Sequence, residues 1–199
     1  MLRLSVLALL GMLVFGLVFA LLPAAPSVRS SGVTLQNVRL QLYPAQDADA
    51  EWRFSAAKID VDPEKGETAL DQLGQGARWV QTRGKDGSAG PLHEDMRIKA
   101  SNLVIDGQDN LRAQQAELYT IADCSTFTLS ALGDQQVFIN QQGGYTAPRG
   151  SISTPSKKGD FRDISANFDF TKFQAVQVKN YEQHTVSPLI CVGGTIRPR

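Results

Sequence analysis

After residue 30 the chain reads as short runs in which every second position is apolar. Val33 and Leu35 come first, then Val38, Leu40 and Leu42, then Trp52, Phe54 and Ala56, then Ile59 and Val61. Further on, Ala77 alternates with Trp79, Met96 with Ile98 and Ala100, Leu103 with Ile105, and Phe127 with Leu129. Val137 with Ile139, Phe168 with Phe170, and Val176 with Val178 complete the series. A period of two predicts strands with one apolar face. Ala113–Leu118 suits either helix or strand by itself, and its neighbours argue for strand. Asp62-Pro63-Glu64-Lys65-Gly66 and Asp106-Gly107-Gln108-Asp109-Asn110 have hairpin-turn chemistry. Gly74–Gly76, Arg83–Gly90, Gln142–Gly144 and Lys157–Asp160 read as loops. Strands this regular, with no helices between them, predict an antiparallel all-β domain.

Part of the pattern repeats. Residues 51–62, Glu-Trp-Arg-Phe-Ser-Ala-Ala-Lys-Ile-Asp-Val-Asp, align without gaps on residues 95–106, Asp-Met-Arg-Ile-Lys-Ala-Ser-Asn-Leu-Val-Ile-Asp, at an offset of 44. A weaker third copy runs from Asp160-Phe161-Arg162 to Phe168-Asp169-Phe170. Within each unit the apolar parity slips by one near Ala57 or Ser101. A one-residue slip turns every later side chain to the other face unless the strand bulges or bends. Each unit is therefore expected to bend at its small pair, continue briefly, and turn back at an Asp-led loop.

The N-terminus has a different character. Leu4–Leu22 contains no charged residue. As a helix it would be about 28 Å long, close to the bilayer's hydrocarbon thickness. A cleaved signal peptide and a retained anchor both export the rest of the chain. The length of the run and the proline-rich Pro23-Ala24-Ala25-Pro26 favour the anchor. Residues 1–29 are thus expected to form a membrane anchor and short linker, and residues 30–199 the β domain. Lys and Arg total 20, as do Asp and Glu. This balance gives no general attraction to nucleic acid or anionic membrane surfaces. The two cysteines, Cys124 and Cys191, in an exported chain favour a disulfide over two buried thiols.

Chemical signatures are sparse. There are two histidines, His93 and His184, and no nucleophile-elbow or phosphate-loop pattern. His184 with either cysteine would be the only nucleophile–base pairing. Asp60, Asp62 and Glu64 resemble the opening of a calcium loop, but Lys65 stands where the essential glycine belongs. A hairpin turn with a capping Asp is the better reading, as at Asp106. We expect no enzyme, no metal and no cofactor.

The order of an N-terminal apolar helix, the strand Trp52-x-Phe54-x-Ala56, a short strand, a turn, and a second unit 44 residues later resembles the LptC/LptA/OstA-like group of lipopolysaccharide-export bridge proteins. The likeness is greatest to the LptC branch, over Leu42–Val61 and Met96–Leu118. The cysteines are not part of the family pattern. The resemblance implies an all-β fold: an antiparallel, twisted, V-shaped OstA-like β-jelly roll preceded by one N-terminal transmembrane helix. It also implies a single-pass inner-membrane location with the β domain in the periplasm or an equivalent space. The implied activity is lipid transport in cell-envelope biogenesis. The chain would take lipopolysaccharide or another envelope lipid from an inner-membrane ABC transporter and pass it to an LptA-like bridge protein by edge-strand pairing.

On that resemblance the acyl-groove candidates are Trp52, Phe54, Ala56, Ile59 and Val61 in the first unit, and Met96, Ile98, Ala100, Leu103 and Ile105 in the second. The same residues would build the core of any sandwich. The rival expectation is therefore a non-enzymatic envelope adaptor or structural β domain with a closed core. Arg53 and Arg97 point the opposite way along their strands, to a solvated outer face or a groove rim.

Overall fold

A computed structural model describes residues 32–45, 47–141, 143–169, 171–184 and 189–199, together with Met12. The β unit runs from Gly32 to Arg199. The expected membrane span, Leu4–Leu22, lies outside the described residues apart from Met12. Among the described residues no helix is long and apolar enough to cross a membrane, which leaves that span untouched.

Apart from the run at Phe168, the alternating runs form antiparallel strands. They are β1 (Val33–Leu42), β2 (Ala50–Asp62), β3 (Glu67–Arg83), β4 (Ala89–Ala100), β5 (Leu103–Ile105), β6 (Leu111–Ala113) and β7 (Gln115–Thr120). Then come β8 (Ser125–Ser130), β9 (Val137–Asn140), β10 (Gly144–Ser153), β11 (Lys157–Ala166), β12 (Phe173–Gln183), β13 (Leu189–Val192) and β14 (Thr195–Pro198). The ambiguous segment around Ala113–Leu118 is strand.

Eight strands close into a barrel-like ring, β3–β4–β7–β8–β10–β9–β6–β5 and back to β3. Closure depends on β3 and β10. Each pairs along one edge with two shorter strands in succession. β3 takes β5 through Thr68–Leu70 and β4 through Gly76–Arg83. β10 takes β9 through Gly144–Thr146 and β8 through Arg149–Ser153. The opposite edge of β3 carries β2 and then β1; that of β10 carries β11 and then β12.

A strand that serves two sheets must keep its apolar face inward in both. The parity slip accomplishes this. Ala56 is buried, Ala57 and Lys58 are exposed, and Ile59 is buried again. Across from Ala57, Asn37 on β1 and Gln72 on β3 take left-handed φ angles of 53° and 52°. Asn102, between β4 and β5, has φ 55°. On the far side Pro148 of β10 faces Asp163 of β11 (φ 51°), and Asn180 of β12 has φ 55°. Asn and Asp tolerate this conformation better than other residues with a Cβ, because their short side chains bond locally. Each half of the structure therefore carries a crease.

Four local expectations are corrected. Gly74-Gln75-Gly76 is not a loop but lies within β3, where Gly74 is the extra residue of a bulge opposite the Ser55–Ala56 step. Gly76 has no alternative, because a Cβ there would collide with Ile98. Lys157–Asp160 lies within β11; the turn falls earlier, where Thr154 Oγ1 accepts the N–H groups of Ser156 and Lys157 at 3.2 and 2.9 Å. Phe168 follows β11 in a turn rather than lying on a strand, and Phe170 lies outside the described residues. Finally, Ala77 and Trp79 face outward while Gly76 and Arg78 face inward.

The Asp-led turns form as expected. Asp62 accepts the N–H groups of Glu64 and Lys65, and Asp106 those of Gln108 and Asn110. The Lys65 N–H is the main influence holding the Asp62 carboxyl below its usual range. Burial pushes Asp106 up, but its two N–H donors outweigh that and hold it low.

Hairpin β13–β14 stands outside the large sheet. Cys191 is bonded to Cys124, with Cα atoms 5.5 Å apart and a sequence separation of 67. Tyr119 Oη also donates to the Gly194 carbonyl at 2.8 Å. The hairpin's own apolar residues Leu189, Val192 and Ile196 are exposed, so the disulfide is its main tie. We expect Cys191→Ser to cost about 2–4 kcal/mol in urea unfolding and to raise amide exchange across Ile190–Val192. Retained protection there would show that the hairpin holds without its tether.

Candidate functional site

The expected groove residues all meet in space, and their side chains pack in a core rather than along an open groove. Trp52, Phe54, Ala56, Ile59, Met96, Ile98, Leu103 and Ile105 are buried in one continuous core. Val61 and Ala100 are half-buried against it. Leu70, Leu111, Leu118, Leu129 and Ile139 fill the remaining interior and are also closed off from solvent. Each such side chain stabilises the fold by roughly 1.5–3 kcal/mol. With no path to water, a carboxylate placed here would be stranded. Phe54→Glu or Ile98→Glu is expected to unfold the domain, with a loss above about 4 kcal/mol, measured by circular dichroism and thermal melting.

One end of this core is sealed by a charged cluster. Trp52 stacks on Phe54 with ring centroids 5.9 Å apart, and Phe168 meets Trp52 edge-on at 5.7 Å. Arg78 points inward between Trp52 and Met96. Its guanidinium lies 4.7 Å from the Phe168 ring centre, donates to Asp47 at 2.7 Å, and pairs with Asp95. Burial holds the Asp95 carboxyl above its usual range, although Arg78 opposes the shift. This arginine explains the reversed parity of β3: a cation that must meet two carboxylates sets which face turns inward. Removing it would leave both carboxylates partly buried and unpaired. Arg78→Ala should cost about 3 kcal/mol by chemical denaturation, more than an exposed ion pair would explain.

An apolar opening lies elsewhere, and of its lining residues the alternating runs mark Phe127 alone, although Phe173 is also an aromatic expected on a strand. A cleft of about 410 Å³ lies along β8, β10, β11 and β12. Phe127 and Ile152 reach it from the buried core, and Phe161, Phe173 and Tyr181 supply aromatic walls. Phe161 meets Phe173 and Tyr181 edge-on, at 6.1 and 6.3 Å. Lys157 and Lys158 stand in its lining with Asp123. Phe173 and Tyr181 are exposed. The cleft thus joins an apolar floor to a cationic border. Its aromatics come from the third, weakest copy of the repeat and the strand after it, which is why the two strong copies do not reveal it.

The remaining candidates have plain settings. His93 is exposed on β4, and His184 is exposed just after β12. Both cysteine sulfurs are bonded to each other, so neither serves as a nucleophile while the disulfide stands. No family model matches the chain, and no curated protein matches it.

Proposed function

We propose that this chain is a membrane-anchored, extracytoplasmic bridge protein of OstA-like jelly-roll type that carries lipopolysaccharide or a related envelope lipid without covalent chemistry. The supporting observation is the continuity of the β8–β12 cleft with the buried core through Phe127 and Ile152. Acyl chains gain by leaving water for such a surface, and the lysines at its border suit an anionic head group. The lipid would come from an inner-membrane ABC transporter beside the anchor.

The partner would be an LptA-like β protein docking on a free edge. Among the described residues β1 pairs only with β2, and β12 only with β11, so the sheet they form ends in two unpaired edges. Unpaired edges invite addition of a further strand. Val33 and Leu35 on one edge, and Val176 on the other, are exposed apolar residues that a docked strand would cover.

The burial of Trp52, Phe54, Met96 and Ile98 favours a second reading, an envelope adaptor with a closed core. A photo-crosslinking residue at Phe173 in intact cells separates the two. A carrier should yield a lipid adduct by mass spectrometry, and the same probe at Trp52 should yield none. Protein adducts alone at Phe173 would leave the adaptor standing.

A further inference from the structure

The two arginines shared by the strong repeat copies find each other on the outside of the sheet. Arg53 on β2 and Arg97 on β4 both neighbour Ala77 on the intervening strand β3. Two strand spacings separate them, about 10 Å, with only a methyl group between. The bulge residue Gly74 also lies in the lining of this surface, a hollow of about 920 Å³. That volume is within the roughly 300–1,000 Å³ typical of small-molecule sites.

Leu40, Phe54, Ala77 and Ile98 contribute apolar parts of the lining, and its charged side chains are mostly cationic. Arg39 and Lys99 join the two arginines as cations, and Glu94 is the one carboxylate among the lining residues. Three of the cations have acidic partners: Arg53 pairs with Glu51, Arg97 with Glu94 and Lys99 with Glu117. Glu51 is buried and keeps its arginine, whereas Arg97 and Lys99 are exposed and their pairs are weak and exchangeable. A guanidinium has five donors, more than one carboxylate can use. Arg53 Nε is buried without an acceptor. The Arg53 guanidinium lies 4.5 Å from the Trp79 ring centre, which holds its fork in place. Gln41, Gln75 and Ser55 add neutral donors and acceptors between the charges.

We infer that this hollow binds an acidic saccharide, sugar rings bearing carboxylate or phosphate. The arginine forks match the anionic groups bidentately, and the amides and hydroxyl suit ring hydroxyls. A bare inorganic anion would use only a fraction of the space. The site lies on the opposite face of β2–β4 from the core, apart from the acyl cleft, and does not rest on the lipid reading.

Trp79 is one of two tryptophans, and the other, Trp52, is buried, so intrinsic fluorescence reports on the hollow. The full chain in mild detergent is titrated with trigalacturonate, maltotriose and inorganic phosphate. Trigalacturonate should give a saturable change, with the other two at least tenfold weaker. The Arg39→Gln/Arg97→Gln double variant, at two exposed arginines of the lining, should keep its melting temperature and bind at least tenfold more weakly. Nanodiscs with and without glucuronosyl diacylglycerol identify the source. A response to that lipid assigns a lipid head group, and a response to soluble saccharide alone assigns a free or polymeric one. No saturable response in either format, an unaffected double variant, or phosphate binding as tightly as trigalacturonate would overturn the inference.

Discussion

Side-chain parity is the constraint on which this domain depends. A strand shows alternate residues to alternate faces, so one strand cannot bury a single apolar face in two differently oriented sheets without a slip. β3 and β10 must do so, because each is the common member through which the ring closes. The slip is made at residues in left-handed conformation, Gln72 and Asn37 beside Ala57, and Asp163 across from Pro148. Pro148 cannot donate a ladder hydrogen bond, which suits a position where the ladder is interrupted. Without these creases Ala56 and Ile59, three residues apart, could not both face the core, and the core would lose one of its halves.

The interior and the two openings result from that arrangement. Once parity is fixed, the apolar residues of both strong repeat copies turn inward and close on each other. The polar residues at the matching positions turn outward and meet across β3. The same duplication thus builds a filled core on one side of the sheet and a cationic hollow on the other. The third copy has no partner beyond β12 to cover its aromatics. Phe161, Phe173 and Tyr181 therefore border a cleft instead of completing a core.

Much of this is legible in the amino-acid order. Alternation marks the strands, the Asp-led turns mark the hairpins, and the 44-residue repeat marks the crease at Ala57 and Ser101. The parts that stay hidden have physical causes. Gly74-Gln75-Gly76 looks like a loop because bulge glycines and loop glycines are the same residues used at different hydrogen-bonding positions. Arg78 reads as an outward residue because nothing local announces that Asp47 and Asp95 will meet it. The groove candidates share apolar character, and apolar character alone does not say whether a surface ends as core or as cleft. That is decided by what covers it, which depends on contacts between residues far apart in sequence.

The Cys124–Cys191 bond has a mechanical consequence. It shuts β8 through most of β13 inside a covalent loop, so a pull on the two chain ends passes through the sulfur atoms and bypasses every residue between them. Traction from the N-terminus would first meet β1, held along one edge alone, and unzip it from β2 residue by residue. The strands bordering the aromatic cleft would bear none of that load along their own backbone. The half of the domain next to the N-terminal segment is thus the yielding half, and the cleft-bearing half keeps its contour length whatever is done to the ends.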